Sequence, residues 1–434
     1  MIIRLAIYLL FAIAIILVYR MKREFIYFIP IFNVLADVSF NYFDAFSAPT
    51  ILRAVVLMLF LLMFWEQLLK MDILRTMYLF FLYILIVMIF SKELLVSFKT
   101  VAQVILSMSV FIAGYKYITS FQRYRKLLES LTWVIIAGFI AAASGYVFDI
   151  GRTLEYTVGA EYEGEPEFIG LLGSGGLYGP ALALAMLPVI IQNRYRNMPR
   201  WVLWAVSAGL YIFIILNVRR TAILIPIIGI VSSLLFYRRQ TKVIRYLFFF
   251  AVTLALLAPV YRPLLEKRIE ARAELGRFEK GFMQTESRYL ENLEMIREIR
   301  EFKDPLAILS GIGHNIFAEH TDRGEIVRRM YHSDTAKLIY GTGLIGLLLY
   351  IMIYGQLLYM ILKIPGVRIL NEYRSGALTI WIISLFVSFN GSITLVTFRT
   401  MSFLLMGAFI GMANGIIKSH GALLAVKRDT EPVA

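Results

Sequence analysis

Residues 338–362 read LIYGTGLIGLLLYIMIYGQLLYMIL, a stretch without a single charged side chain. A stretch of about twenty apolar residues can cross a bilayer as a helix, because only a helix satisfies its own backbone groups in lipid. Comparable stretches recur along the chain, at 50–69, 73–91, 100–118, 131–148, 169–191, 201–218, 221–237, 246–261, 377–397 and 401–417. The sequence therefore predicts an all-α polytopic membrane protein.

Composition agrees with this interpretation, since 59% of the residues are hydrophobic and only 17% are charged. A soluble domain does not need so much apolar content. At the N-terminus, residues 5–19 and 25–44 are also apolar, but Pro30, Asn33 and Asp37 interrupt the second stretch. We therefore predict twelve or thirteen transmembrane helices, depending on how many crossings the N-terminus contributes.

The N-terminal stretch is not expected to be a cleaved signal peptide, because it lacks a small-residue cleavage site and leads into Arg20-Met21-Lys22-Arg23. The chain contains no cysteine, which excludes disulfides, thiolate metal sites and a cysteine nucleophile. Its four histidines do not follow a zinc-binding spacing. The alternative is a magnesium site held by carboxylates of Glu161, Glu163, Glu165 and Glu167, although this acidic run is more typical of a solvated loop. We expect neither a metal nor another cofactor.

The net charge of +14 arises from basic residues in short loops between the apolar stretches. Threading the stretches from residue 121 onward brings all of these loops to one side, which the positive-inside rule assigns to the cytoplasm. The charge is thus an orientation signal, and no nucleic-acid partner is expected. The basic groups are Arg123/Arg125/Lys126, Arg194/Arg196/Arg200, Arg238/Arg239/Lys242/Arg245, Lys363/Arg368/Arg374 and Lys418/Lys427/Arg428.

One large polar segment, residues 262–336, interrupts the apolar sequence and falls on the opposite, extracytoplasmic face. The same threading puts Arg219-Arg220 and Phe398-Arg399-Thr400 on that face. The predicted organisation is an N-terminal transmembrane bundle (1–261), an extracytoplasmic helical loop (262–336), C-terminal transmembrane helices (337–418) and a cytoplasmic tail (419–434).

Apolar residues recur at helical spacing twice within this loop, at 263–282 and again from Ser287 until Asp304-Pro305 ends the pattern. Each helix has one apolar face. Such helices can lie on the membrane surface or cap the bundle, and the same pattern fits a loop that packs on itself.

Four residues stand out as candidates for chemistry. Arginine at membrane depth marks a functional site by default, which selects Arg220 and, beside it, Arg219; the alternative is snorkelling to lipid phosphates. Arg288 opens a predicted helix, where free N–H groups and a guanidinium suit a phosphate or diphosphate; the alternative is an ordinary solvated charge. His332 lies where the loop meets the membrane.

An imidazole near neutral pH can take a proton from a hydroxyl group, and the nearby carboxylate of Asp334 could orient it. The alternative for His332 is a structural role, because a lone histidine is more often structural. His314 is a rival, although the sequence Gly311-Ile312-Gly313-His314 is more typical of a tight turn.

Three stretches together give the chain a resemblance to the O-antigen ligase and O-antigen polymerase superfamily of bacterial envelopes. They are Arg220-Thr221-Ala222 opening a span, Ser287-Arg288 followed by Asp304-Pro305, Gly311-Ile312-Gly313 and Phe317, and His332 followed by Gly341-Thr342-Gly343-Leu344-Ile345-Gly346. The resemblance covers about 217–350. The chain departs from the family pattern at Ser333 in place of Asn, Thr342 in place of Glu, and Asn292 near the usual Trp.

The resemblance implies a GT-C-like membrane glycosyltransferase that uses a glycan on undecaprenyl diphosphate, without a metal, in an inverting reaction. Arg220 and Arg288 would bind the diphosphate and stabilise the leaving group, and His332 would act on the acceptor hydroxyl. Arg219, Asp334 and Arg399 are further candidates for substrate binding. The implied location is the bacterial inner membrane, with the active site facing the periplasm.

Two acceptors fit this family. A polymerase, which we favour, extends a second lipid-linked repeat unit, whereas a ligase transfers the glycan to lipid A–core. Membrane lipid, a flippase and a chain-length regulator are the other partners that the resemblance implies. From other classes, a lipid-linked oligosaccharide flippase or transporter would show inverted repeats and charges near the middle of several spans, and a non-catalytic assembly partner would tolerate loss of His332.

Overall fold

The computed structural model describes residues 2–38, 48–69, 75–148, 171–172, 176–193, 199–217, 220–236, 240–272, 293, 296–297, 300–301, 305–311, 316, 320–321, 329–330, 333–390 and 393–430. These residues are almost entirely helical. The strands found among them are two short ones, β1 (His320–Thr321) and β2 (Arg329–Met330), which pair antiparallel. The predicted all-α membrane architecture is confirmed.

The described residues of the N-terminal half are mainly helical. After α1 (Ile2–Met21), a 3₁₀ helix (Lys22–Tyr27) leads directly into the next α-helix. The following helices are α2 (Ile29–Val38), α3 (Ala48–Leu62), α4 (Trp65–Leu69), α5 (Arg75–Ile89), α6 (Leu94–Tyr117), α7 (Phe121–Phe148), α8 (Tyr178–Ala185) and α9 (Leu187–Gln192).

The C-terminal half of the described chain contains seven helices, the last of which, with 35 residues, is the longest described. They are α10 (Arg200–Leu216), α11 (Arg220–Phe236), α12 (Gln240–Arg272), α13 (Pro305–Ser310), α14 (Asp334–Leu362), α15 (Asn371–Asn390) and α16 (Val396–Thr430). A residue with non-helical dihedral angles, Gly343, breaks α14 near its beginning.

Every predicted span from 50–69 onward contains described helix, and three of them are interrupted, including 338–362, whose helix breaks at Gly343. The span at 50–69 divides into α3 and α4, and the span at 169–191 divides at Met186 into α8 and α9. Five helical stretches are long and apolar enough to cross a membrane, and six shorter apolar helices accompany them in the described part of the chain. The number of twelve or thirteen crossings stays a prediction. The five long stretches are Leu5–Tyr27, Leu94–Tyr117, Phe121–Ser144, Asp334–Leu362 and Val396–Ser419.

The predicted boundaries of the large loop differ from the helix ends. Helix α12 continues through residue 262 as far as Arg272, so the predicted helix at 263–282 begins as a continuation of this span. At the other boundary, α14 begins at Asp334, before residue 336. The second predicted loop helix, from Ser287, lies mostly outside the described residues; the residues described there, such as Leu293 and Ile296, are helical.

Helix α16 lies at the centre of the bundle. In its apolar window, 78% of the residues are buried, against 33% for the span that begins at Asp334 and 22% for the N-terminal span. It packs along the whole of α6 and also contacts α15, α8 and α2. The central helix therefore carries contacts to both halves of the chain.

A glycine stripe explains how closely α16 approaches α6. Gly407, Gly411 and Gly415 recur at every fourth position, and a Cβ atom on Gly411 would overlap the carbonyl oxygen of Tyr115. The other two glycines are equally close to carbonyl groups of the chain around α6. Small residues let helix backbones come together in this way in membranes, where helix association depends on close packing.

The ends of the helices define two sides of the bundle. The start of α15 lies beside the end of α11, since the Asn371 side chain donates a hydrogen bond to the carbonyl of Phe236 at 3.1 Å. The end of α15 lies beside the beginnings of α14 and α16, through Ser388, Asp334 and Arg399. We call this second side the loop end, because the polar segment joins the bundle there.

Replacing Gly411 by alanine is expected to lower stability by about 2 kcal/mol, because the new methyl group must push α6 away from α16. The measurement is the thermal unfolding midpoint of the purified protein in detergent. Gly355→Ala is the matched control, since a Cβ on this helical glycine meets nothing within 4 Å. Equal midpoints for the two variants would contradict the close packing of α6 on α16.

Candidate functional site

A buried ion pair joins two helices at the loop end. Arg399, in the first turn of α16, contacts Oδ2 of Asp334, the first residue of α14, through its Nη2 atom. Both side chains are almost completely closed to solvent, with relative exposures of 2% and 1%. The two residues are 65 positions apart in the sequence, so this contact fixes how the helices are arranged.

Three hydroxyl groups surround the ion pair. The Tyr350 hydroxyl donates to Asp334 Oδ2 at 2.7 Å, and Arg399 Nη1 donates to the Tyr354 hydroxyl at 2.9 Å and to Ser388 Oγ at 3.2 Å. Tyr350 and Tyr354 lie one helical turn apart on α14, and Ser388 belongs to α15. The network therefore connects three helices.

Burying these charged and polar groups is unfavourable unless each has a hydrogen-bond partner or a counter-charge. Removing an ion from water costs several kcal/mol, which a partner charge and good hydrogen bonds must offset. Most polar atoms here have partners, but Asp334 Oδ1 and Arg399 Nε have none in the part of the chain that the structure describes. Each charge is thus fixed mainly through one edge, and loss of either residue would leave the other buried without its counter-charge.

A second buried ion pair lies next to the first turn of α16. Arg53 Nη1, on α3, donates to Asp37 Oδ1, on α2, at 2.6 Å and is 3.3 Å from Thr397 Oγ1. The Thr397 hydroxyl donates in turn to the carbonyl of Asn33 at 3.2 Å. Residues 397 and 399 therefore link the beginning of α16 to both ion pairs.

Two lysines add positive charge near these pairs. Lys337, one turn into α14, is 1% exposed, and its ammonium group is 3.4 Å from Thr394 Oγ1. Lys99, near the start of α6, is half-buried and close enough to Arg53 for the two charges to repel each other. The described part of the loop end is thus richer in basic than in acidic groups.

Ser333 sets the beginning of α14. Its backbone is extended, and its side-chain oxygen accepts a hydrogen bond from the N–H of Ala336 at 3.0 Å. This is the usual N-cap arrangement, which satisfies one of the free donors of a helix start. The cap and the adjacent Asp334 fix the point at which the chain enters the bundle, directly after His332 in the sequence.

The two glycine-containing motifs meet at the break in α14. Gly311 has φ +111°, and a Cβ atom there would lie 2.7 Å from the carbonyl oxygen of Gly341. Gly343 has φ +66°, and a Cβ there would overlap the carbonyl oxygen of Leu309 and lie 2.6 Å from the N atom of Gly311. Only glycine adopts these angles readily and permits such backbone contact.

The structure describes three of the six residues that the sequence selected. Asp334 and Arg399, predicted to bind substrate, are brought together, but they contact each other rather than an open surface. Arg220 is the first residue of α11 and is exposed. The other three residues, His332, Arg288 and Arg219, lie outside the described residues, as does the rival His314.

Sequence reasoning missed the second ion pair and the buried lysine. Asp37 was noted only as an interruption of an apolar stretch, and Arg53 and Lys337 were not singled out. The available signal was a charge inside an apolar helix, which in membranes usually has a partner. Among the described residues, no group of three His, Asp or Glu side chains is arranged to hold a metal ion.

Comparison with models of known protein families gives no match for this chain, and no curated protein matches it either.

Breaking the first ion pair should destabilise the protein by about 3 kcal/mol, because Arg399→Gln leaves the carboxylate of Asp334 buried without a counter-charge. Asp334→Asn should cost a similar amount, and the double variant should cost clearly less than the sum. The measurement is the unfolding midpoint of each variant in detergent.

The exposed pair of Arg297 and Glu301, whose side chains are 68% and 50% exposed, provides the control. Arg297→Gln should change stability by less than about 0.5 kcal/mol, since water already screens this pair. Additive effects in the double variant of Asp334 and Arg399 would show that the buried charges are not coupled.

Proposed function

We propose that the chain is a GT-C-like membrane glycosyltransferase that acts on glycan carried by undecaprenyl diphosphate and polymerises O-antigen or exopolysaccharide repeat units. The reaction takes place at the extracytoplasmic face of a bacterial inner membrane. The observation that carries the proposal is the backbone contact between Gly311 and the glycines at 341 and 343. These residues belong to two motifs that the resemblance selected separately, and Gly311 packs against the helix that follows His332, at the break within it.

The proposed reaction is a single displacement. The acceptor hydroxyl oxygen attacks the anomeric carbon, the sugar–phosphate C–O bond breaks, and undecaprenyl diphosphate leaves with the electron pair. His332 accepts the hydroxyl proton, while Arg220 and Arg288 stabilise the charge that grows on the leaving diphosphate. Arg220 suits this role because it is exposed at the first position of α11, where the positive end of the helix dipole also favours an anion.

The charge balance of the loop end favours an anionic ligand. Four basic side chains that are buried or half-buried accompany two buried carboxylates among the described residues there. A lipid diphosphate brought to this end of the bundle would meet a positive field in surroundings of low dielectric constant. The residues are Arg53, Lys99, Lys337 and Arg399, with Asp37 and Asp334.

Asp334 and Arg399 have a positioning role in this proposal rather than direct contact with the glycan. Both are closed to solvent and bound to each other. Asp334 begins α14, two residues after His332 in the sequence. The ion pair therefore fixes the helix end that directly follows the proposed base in the chain. A residue of this kind affects catalysis through the geometry of its neighbour.

The transporter alternative is less well supported. A transporter would place its charges near the middle of several spans, whereas Asp37, Arg53, Asp334 and Arg399 all lie within two turns of a helix end. Helix α14 is discontinuous, as transporter helices often are, but the segment around its break packs against α13. Ligase activity shares the same chemistry, and the experiment below separates it from polymerisation.

His332→Ala is expected to abolish glycan chains longer than one repeat unit, because the acceptor hydroxyl loses its base. The measurement is gel laddering of surface glycan in a deletion strain complemented at matched protein levels. Arg220→Ala and Arg288→Ala should have the same effect. Arg297→Ala is the control from the same loop and should leave the ladder unchanged, since its side chain is exposed and pairs with Glu301.

The pattern of loss identifies the acceptor. Single-repeat lipid A–core that persists while longer chains disappear indicates a polymerase. Loss of every repeat from lipid A–core, with accumulation of lipid-linked polymer, would instead identify a ligase. An unchanged ladder in His332→Ala at normal protein levels would remove the proposed mechanism and favour a transporter or an assembly partner.

A further inference from the structure

Helix α5 contacts both glycine motifs, although the resemblance does not extend to this part of the chain. The Tyr83 hydroxyl donates a hydrogen bond to the carbonyl of Thr342 at 2.8 Å and is 3.5 Å from the carbonyl of Leu309. Thr342 lies immediately before the break in α14, and Leu309 lies two residues before Gly311. One hydroxyl group therefore lies between the two segments.

The Tyr83 hydroxyl compensates for a hydrogen bond disturbed by the break in α14. Gly343 has φ +66° and ψ −169°, which disturbs the regular pairing of N–H and C=O groups along the helix. Backbone groups without partners are costly in lipid. Tyr83 supplies the carbonyl of Thr342 with a donor from another helix.

Helix α6 binds the chain at Ile316, five residues after Gly311. The Thr100 hydroxyl donates to the carbonyl of Ile316 at 2.7 Å, and the N–H of Ile316 donates to Ser97 Oγ at 3.2 Å. Ile316 is 2% exposed. Both backbone groups of this buried residue are thus bound by side chains one turn apart on α6.

The same face of α5 reaches the first ion pair. Phe80, one turn before Tyr83, packs against the ring of Tyr350 with centroids 5.9 Å apart. Tyr350 in turn donates to Asp334. Residues of α5 therefore contact both the break in α14 and a partner of the buried carboxylate.

We propose that Tyr83, together with Ser97 and Thr100, forms a backbone clasp that fixes the direction of residues 334–342. This part of α14 can pivot at Gly343, and it carries Asp334 at its beginning. The clasp residues are positioning residues, since each contacts backbone atoms of the motifs. Their effect on catalysis rests on the function proposed above, whereas their effect on the direction of α14 does not.

The absence of cysteine from the chain allows a direct test. Spin labels on Thr335→Cys and Met352→Cys flank the break in α14, and their distance, measured by pulsed electron resonance in the full-length protein, reports its bend. Tyr83→Phe removes one hydroxyl group and should broaden or shift this distance. Tyr19→Phe is the control, because its side chain is 80% exposed and far along the chain from either motif.

Kinetics with undecaprenyl-diphosphate-linked repeat units provide the second readout. Tyr83→Phe should lower kcat about tenfold with KM nearly unchanged, as expected when positioning rather than binding is lost. Ser97→Ala combined with Thr100→Val should act in the same direction on both readouts.

The two readouts separate the two proposals. An unchanged label distance in Tyr83→Phe would overturn the clasp, whatever the activity. A changed distance with normal kcat would overturn its role in positioning. A changed distance with no transfer activity in any variant, the parent protein included, would leave the clasp intact and overturn the proposed function.

Discussion

The arrangement of the loop end depends on one constraint, which is that a buried charge in a membrane bundle needs a counter-charge. Arg399 and Asp334 meet this requirement only if α16 and α14 begin at the same level, and Tyr350, Tyr354 and Ser388 supply further hydrogen bonds. Any sliding of one helix along the other would separate the charges in surroundings where separation is expensive. The ion pair therefore fixes the relative height of the helices as well as their contact.

Helix α16 transmits this constraint to the rest of the bundle. Its first turn contacts both ion pairs, through Thr397 and Arg399, and its glycine stripe packs on the backbone of α6 further along. The ion pairs fix the position of α16 along its axis at the loop end. Close backbone packing fixes its distance from α6 over the rest of its length. Helix α6 also binds the chain at Ile316 through two hydrogen bonds. The central helix and the segment that carries the first glycine motif therefore both pack against α6.

The helices could be predicted from the sequence because lipid leaves an apolar chain few alternatives, and the spans at 201–218 and 338–362 lie almost as predicted. The breaks were harder to predict, since an apolar stretch such as 169–191 does not show where its helix is interrupted. In the site, Asp334 and Arg399 were identified as unusual charges, but the sequence could not reveal that they are each other's partners. Pairing is a tertiary property, and residues 65 positions apart carry no mutual signal in one sequence.

The conformation of the glycine motif at 341–343 could not be predicted from the sequence either, and the reason is physical. The pattern Gly341-Thr342-Gly343 indicates permissive backbone, yet its conformation depends on what packs against it. Gly311, directly after α13, lies on one side, and Tyr83 from α5 lies on another. Each contact is made with backbone atoms, so the motif positions need little more than the absence of a side chain. In the function that we propose, the chemistry depends instead on charged residues such as Arg220, which a rigid helix positions at its N-terminal, electropositive end.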